Sequence, residues 1–156
     1  MSQPQQLVLD QANITRTYMQ DGFVVPIDVL SQHEARILRT HLEDAEAELA
    51  NDVEKLALLK AYPDRLLPSF DALTRNETLI SAASAVLGPD LMVWSAGLFI
   101  KEANSPKIVS WHQDLTYWGL DDIAETTCWV ALSKAHETSG CMKFVPGSHK
   151  TKIVPH

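Results

Sequence analysis

Trp111-His112-Gln113-Asp114 is the segment of this chain where side-chain chemistry and expected backbone geometry meet. On a β-strand, residues i and i+2 leave the same face. His112 and Asp114 on a strand therefore offer an imidazole nitrogen and a carboxylate oxygen to one cation. One further His completes the two-His, one-carboxylate set of non-haem Fe(II) oxygenases, which leaves positions on the metal open for other ligands.

His-x-acid spacing by itself is common. The chain has 6 His and 20 acidic residues, and the same spacing recurs at His41-Leu42-Glu43. That second pair falls in an amphipathic helical stretch, where i and i+2 do not face each other. By spacing alone, His112 and Asp114 also read as a strand-end histidine and a solvated aspartate. His33 lies on a charged helical face and His136 in an expected hairpin connection, so both are expected at the surface. His149 follows the Pro146-Gly147-Ser148 turn and is a candidate for a bond to a nearby carbonyl. Trp111, Tyr117 and Trp118 flank the candidate pair and are expected to pack in a core or pocket. Nucleophile elbows, phosphate-cradling glycine loops and Cys-x-x-Cys pairs are absent from the sequence.

The elements that must position the pair divide the chain in two. Up to about residue 88 the pattern is mainly helical. Residues 6–19 read as a first helix ended by Asp21-Gly22, and Phe23-Val24-Val25-Pro26 as a short strand. Ser31 with Glu34 has capping-box spacing, and Ala35, Leu38, Leu42, Ala45 and Leu49 make one apolar stripe behind it. Residues 54–62 and 77–87 read as two more helices, the latter stopped by Gly88-Pro89. From about residue 89 to 156 the grammar changes to short β-branched and aromatic runs, at 91–94, 97–100, 108–111, 126–132, 141–145 and 151–154. An α+β chain is expected, with N-terminal helices followed by an incomplete double-stranded β-helix, or jelly roll. Such a sheet needs eight strands and only five or six are visible, so its unpaired strand edges are expected to promote self-association.

With 156 residues, 46% of them hydrophobic and 21% charged, the chain fits one globular domain spanning 1–156. Its formal charge of −7 and pI near 5.2 argue against a nucleic-acid partner. Neither a secretory signal nor a membrane-spanning apolar run is visible, which makes a cytoplasmic enzyme with Cys128 and Cys141 as reduced thiols the expectation.

Taken together, Trp111-His112-Gln113-Asp114, Tyr117-Trp118, the run from Thr127 to Leu132, Gly140-Cys141-Met142 and Val145-Pro146-Gly147-Ser148-His149-Lys150 closely resemble the phytanoyl-CoA dioxygenase family. Asp21-Gly22-Phe23-Val24-Val25 is similar to that family's opening strand. The resemblance implies a jelly-roll core, Fe(II), and 2-oxoglutarate and O2 as cosubstrates. The implied reaction is oxidative decarboxylation of 2-oxoglutarate to succinate, coupled to hydroxylation of a small-molecule substrate. In matching positions His112 and Asp114 bind iron, while Gln113 and Trp129 contact 2-oxoglutarate. Lys101 is a further candidate for that cosubstrate, with a surface lysine as its alternative. Gln113 between two inward residues of a regular strand faces away, so its role requires the strand to end or twist there.

In the family pattern the distal His comes late in the domain and an Arg follows it. His156, by contrast, corresponds to a Pro-His shortly after the Pro-Gly-Ser-His turn. The chain is therefore expected to be a truncated dioxygenase domain lacking the distal His and the 2-oxoglutarate-binding Arg, and inactive alone. A non-catalytic jelly-roll binding or assembly module is the alternative.

Overall fold

The computed structural model describes residues 10–122 and 124–154. The expected helical segment at residues 6–9 and the candidate His156 lie outside the described residues.

Helix α1 (Gln11–Asp21) starts where Asp10 accepts the Asn13 N–H on its side chain at 3.0 Å. It stops at Gly22, whose left-handed φ of 84° lets its N–H reach the Tyr18 carbonyl at 2.8 Å. The segment after it, expected as a strand, crosses a cis Val25-Pro26 bond and pairs with no other segment among the described residues. Helix α2 (Gln32–Glu48) begins with the capping box read from the sequence. Ser31 Oγ accepts the Glu34 N–H at 3.2 Å, and Glu34 Oε2 accepts the Ser31 N–H at 2.7 Å.

Helices α3 (Val53–Ala61) and α6 (Glu77–Leu87) occupy the expected stretches, α3 capped by Asp52 and α6 by Asn76. Between them stand two short helices that periodicity did not reveal, α4 (Pro63–Leu66) and α5 (Pro68–Thr74). Each opens on a proline, which suits the first helical position because the missing N–H is unpaired there anyway. Four-residue helix α7 (Leu115–Trp118) follows the candidate ligand pair.

The apolar stripe of α2 reaches its target. Leu38 and Leu42 are buried with Leu59 of α3 and Phe70 of α5, and Leu59 is only 1% exposed. Leu98 and Leu132, from the second half, pack against this cluster. The Leu98 N–H donates to the Lys60 carbonyl at the end of α3, at 2.9 Å. A second contact joins α1 to α6, where Thr15 Oγ1 donates to the Ala85 carbonyl at 2.6 Å and Ile14 and Ala82 are buried.

The expected jelly roll is corrected by the structure. Among the described residues there is no strand and no sheet, and the ordered elements are helices and short 3-10 turns. β-branched and aromatic content favours a strand only when a partner lies alongside to complete the ladder and cover a face. The six runs after residue 89 find no such partner in one another. Many of their large side chains stay in water, with Met92 and Ile108 both 82% exposed and Phe99 76%. Self-association through strand edges loses its structural basis with the strands.

Candidate metal-binding pair

His112 and Asp114 meet, although not by strand geometry. The backbone enters the helical region at Asp114 (φ −56°, ψ −42°), immediately before α7. This turn, rather than a pleat, brings His112 Nε2 to 3.1 Å from Asp114 Oδ1. Asp114 occupies the N-cap position of α7 yet makes no capping bond with its side chain. Its carboxylate points to His112 instead.

The outward-facing atoms of both groups are tied down. His112 Nδ1 lies 2.8 Å from the Ser110 carbonyl, which only accepts, so Nδ1 carries the hydrogen. Asp114 Oδ2 accepts from Thr127 Oγ1 at 2.9 Å. Nε2 and Oδ1 thereby face each other at 3.1 Å, a separation suited either to a proton or to a shared cation. Two cis ligands of an octahedral first-row ion, each bonded at about 2.1 Å, stand about 3.0 Å apart. The observed separation fits that donor pair.

Tyr117 sets its ring edge-on to His112, with centroids 5.8 Å apart. Glu125 adds negative charge nearby. Burial, and then the charge of Asp114, hold its carboxyl above the ordinary glutamate value. One of its oxygens, Oε2, is buried without a hydrogen-bond partner among the described residues.

The other candidates are placed elsewhere. The Gln113 side-chain oxygen accepts the Val154 N–H at 3.0 Å, which ties the pair's loop to the end of the described chain. The Lys101 side chain runs against Gly140, where a Cβ would meet its ammonium nitrogen at 2.5 Å. Trp129 is 44% exposed. No hydrogen bond or ion pair joins Lys101 or Trp129 to the pair among the described residues. Groups of three or more His, Cys, Asp or Glu side chains suited to a metal are absent from the described residues. The competing pair on α2 dissolves, because Glu43 is taken by Arg39 at 2.7 Å.

His149 acts on carbonyls, as its place after a turn suggested. Its Nε2 lies 3.3 Å from the Met19 carbonyl, and the Gly147 N–H donates to the Asp21 carbonyl at 2.8 Å. Two unpaired carbonyls at the end of α1 are thus satisfied by a turn more than a hundred residues away. Phe23 stacks on Phe144 beside this clasp, with centroids 4.7 Å apart. Cys128 and Cys141 are free thiols. No described helix is long and apolar enough to cross a membrane.

Sequence reasoning missed Thr127, Ser110 and Glu125 as neighbours of the pair. Thr127 stood inside a run noted for its β-branched and aromatic residues, but its hydroxyl gains a role only through a contact across 13 positions.

A histidine and a carboxylate, each held from behind by a hydrogen bond and brought to 3.1 Å from one another, make a candidate metal pair. The sequence profile of the phytanoyl-CoA dioxygenase family matches residues 18–156. The chain belongs to the phytanoyl-CoA dioxygenase family. It is 23% identical over 149 residues to an ectoine dioxygenase of Streptomyces avermitilis, covering 87% of this chain and 50% of that protein. A probable alpha-ketoglutarate-dependent hypophosphite dioxygenase of Stutzerimonas stutzeri is 27% identical over 105 residues, covering 67% and 36% respectively. The peroxisomal phytanoyl-CoA dioxygenase of Rattus norvegicus is 24% identical over 160 residues, covering 89% and 47%. The chain spans about half the length of the first of these relatives. No solved structure matches it.

Proposed function

We propose that this chain supplies the iron-binding His-x-Asp pair of a 2-oxoglutarate-dependent dioxygenase that oxidises a small molecule. The observation that carries the proposal is the 3.1 Å approach of His112 Nε2 to Asp114 Oδ1, with the far side of each group held by a hydrogen bond. His112 and Asp114 are the residues that would hold Fe(II). When bound, the iron supplies the redox chemistry that couples O2 and 2-oxoglutarate to oxidation of the substrate.

The protein's own residues do the rest. The Ser110 carbonyl fixes the His112 tautomer so that Nε2 points to the metal side. Asp114 contributes a negative oxygen that lowers the net charge of a bound cation. Its presence, in place of Ala or Gly, favours hydroxylation over the halogenation seen where the family pattern lacks this carboxylate. To the cosubstrate we assign Gln113 and Trp129, on their positions in the family pattern, with Lys101 as a further candidate whose alternative is a surface lysine. The relatives' names support a small-molecule substrate and differ in which one, from ectoine to hypophosphite to phytanoyl-CoA.

Anaerobic equilibrium dialysis against Fe(II), with and without 2-oxoglutarate, tests this. The unaltered chain is expected to retain iron and His112→Ala to lose it. Equal retention by His112→Ala would remove the metal assignment and favour a non-catalytic binding module.

A further inference from the structure

A carboxylate has two equivalent oxygens, and a cation held by one His and one Asp depends on which oxygen is presented. In this chain the choice is made from outside the pair. Asp114 Oδ2 accepts the Thr127 hydroxyl at 2.9 Å, which leaves Oδ1 facing His112 Nε2 at 3.1 Å. The position of Thr127 is itself determined from farther away. Its neighbour Thr126 donates through Oγ1 to the Tyr18 hydroxyl of α1 at 3.1 Å, across 108 positions. Two adjacent threonine hydroxyls thus serve different elements, one bolting the segment to α1 and the other holding the carboxylate. The α1 end of this arrangement is also fastened, by the Gly147 and His149 contacts to its last carbonyls.

We propose that Thr127 is a positioning residue for Asp114, and that the Tyr18–Thr126 bond sets where Thr127 stands. The inference rests on His112 and Asp114 being the cation-holding pair. Without the Thr127 hydroxyl, Oδ2 loses the bond that holds it away from His112, and Oδ1 is no longer singled out for the site. Loss of such an outer partner lowers metal affinity by about 10–100-fold.

Mn(II) alone is the probe, because it takes the same N and O ligands as Fe(II) and broadens nearby proton resonances even when weakly bound. The His112 ring protons are followed in the 156-residue chain, with the rings of His33, His41 and His136 as internal references. In the unaltered chain His112 is expected to broaden selectively. Thr127→Val, close in shape but without the hydroxyl, is expected to need about 10–100-fold more Mn(II) for the same broadening. Thr127→Ser, which restores the donor, is expected to titrate close to the unaltered chain. Should the valine variant lose its helical circular dichroism, Thr127→Ala carries the same expectation. Selective broadening in Thr127→Val at unaltered Mn(II) concentrations, together with its loss in Asp114→Asn, overturns the positioning role alone. Broadening that survives in Asp114→Asn, or is absent from the unaltered chain, overturns the metal pair and the positioning role with it.

Discussion

Glu125 shows how the candidate site is set against local stability. Its carboxyl is raised by burial and by the neighbouring charge of Asp114. A group whose folded-state value lies above its unfolded one favours folding below the unfolded value, and that contribution disappears as pH rises through the folded one. At neutral pH the ionised Glu125 therefore opposes folding. Glu125→Gln is expected to raise the melting temperature at pH 7, with the advantage gone once pH falls below about 4, where both glutamate forms are protonated. Identical melting curves at pH 7 would contradict the argument. At this same scale His112 and Asp114 were legible as a candidate pair from their types and spacing, whereas the turn at Asp114 that brings them to 3.1 Å was not. The hydroxyl of Thr127 and the buried oxygen of Glu125 were not legible, because their environments arise from contacts more than ten positions away.

Among the elements, α2 carries the most explicit local instruction. Serine at its start and glutamate three residues on satisfy each other's backbone donors. The Ser31 bonds hold the Glu34 carboxyl below its ordinary value. The sign is opposite to that of Glu125: the stabilisation is present above the unfolded value and is lost as pH falls through the folded one. Ser31→Ala is expected to cost about 1 kcal/mol. Glu34→Gln is expected to melt below the unaltered chain at neutral pH and to coincide with it in acid. Helical circular dichroism during heating reports both, and a gap that persists in acid would contradict the assignment. Helices α2, α3 and α6 were readable because helical residue patterns, the Ser31–Glu34 capping box of α2 and the Gly88-Pro89 stop after α6 act within a few residues. Helices α4 and α5 were missed although Pro63 and Pro68 marked their first turns. The expected strands failed for the converse reason: a run such as 108–111 states a preference for a pleated, half-covered surface and does not contain the surface that would cover it.

For the molecule as a whole, the consequence is a chain whose second half leaves large apolar side chains in water, Trp111 at 61% and Tyr117 at 66% among them. Exposed apolar surface of this kind drives association. The 156-residue chain is expected to elute at a rising apparent mass as concentration increases in size-exclusion chromatography, and Phe99→Asp to weaken the effect. One unchanging elution volume over a wide concentration range would contradict it. The packing that does form is centred on α2, α3 and α5, and it reaches the second half through Leu98 and Leu132. By itself the sequence determined the family, the main helices and the Ser31–Glu34 capping box, and it offered His112 and Asp114 as a candidate pair, since each is written in residues near one another along the chain. Only the tertiary structure decided that a turn and not a strand joins His112 to Asp114, that Thr127 and Tyr18 stand behind them, and that the later runs form no strand among the described residues. Those outcomes depend on which distant groups come to lie side by side, and no local pattern of residue types encodes that.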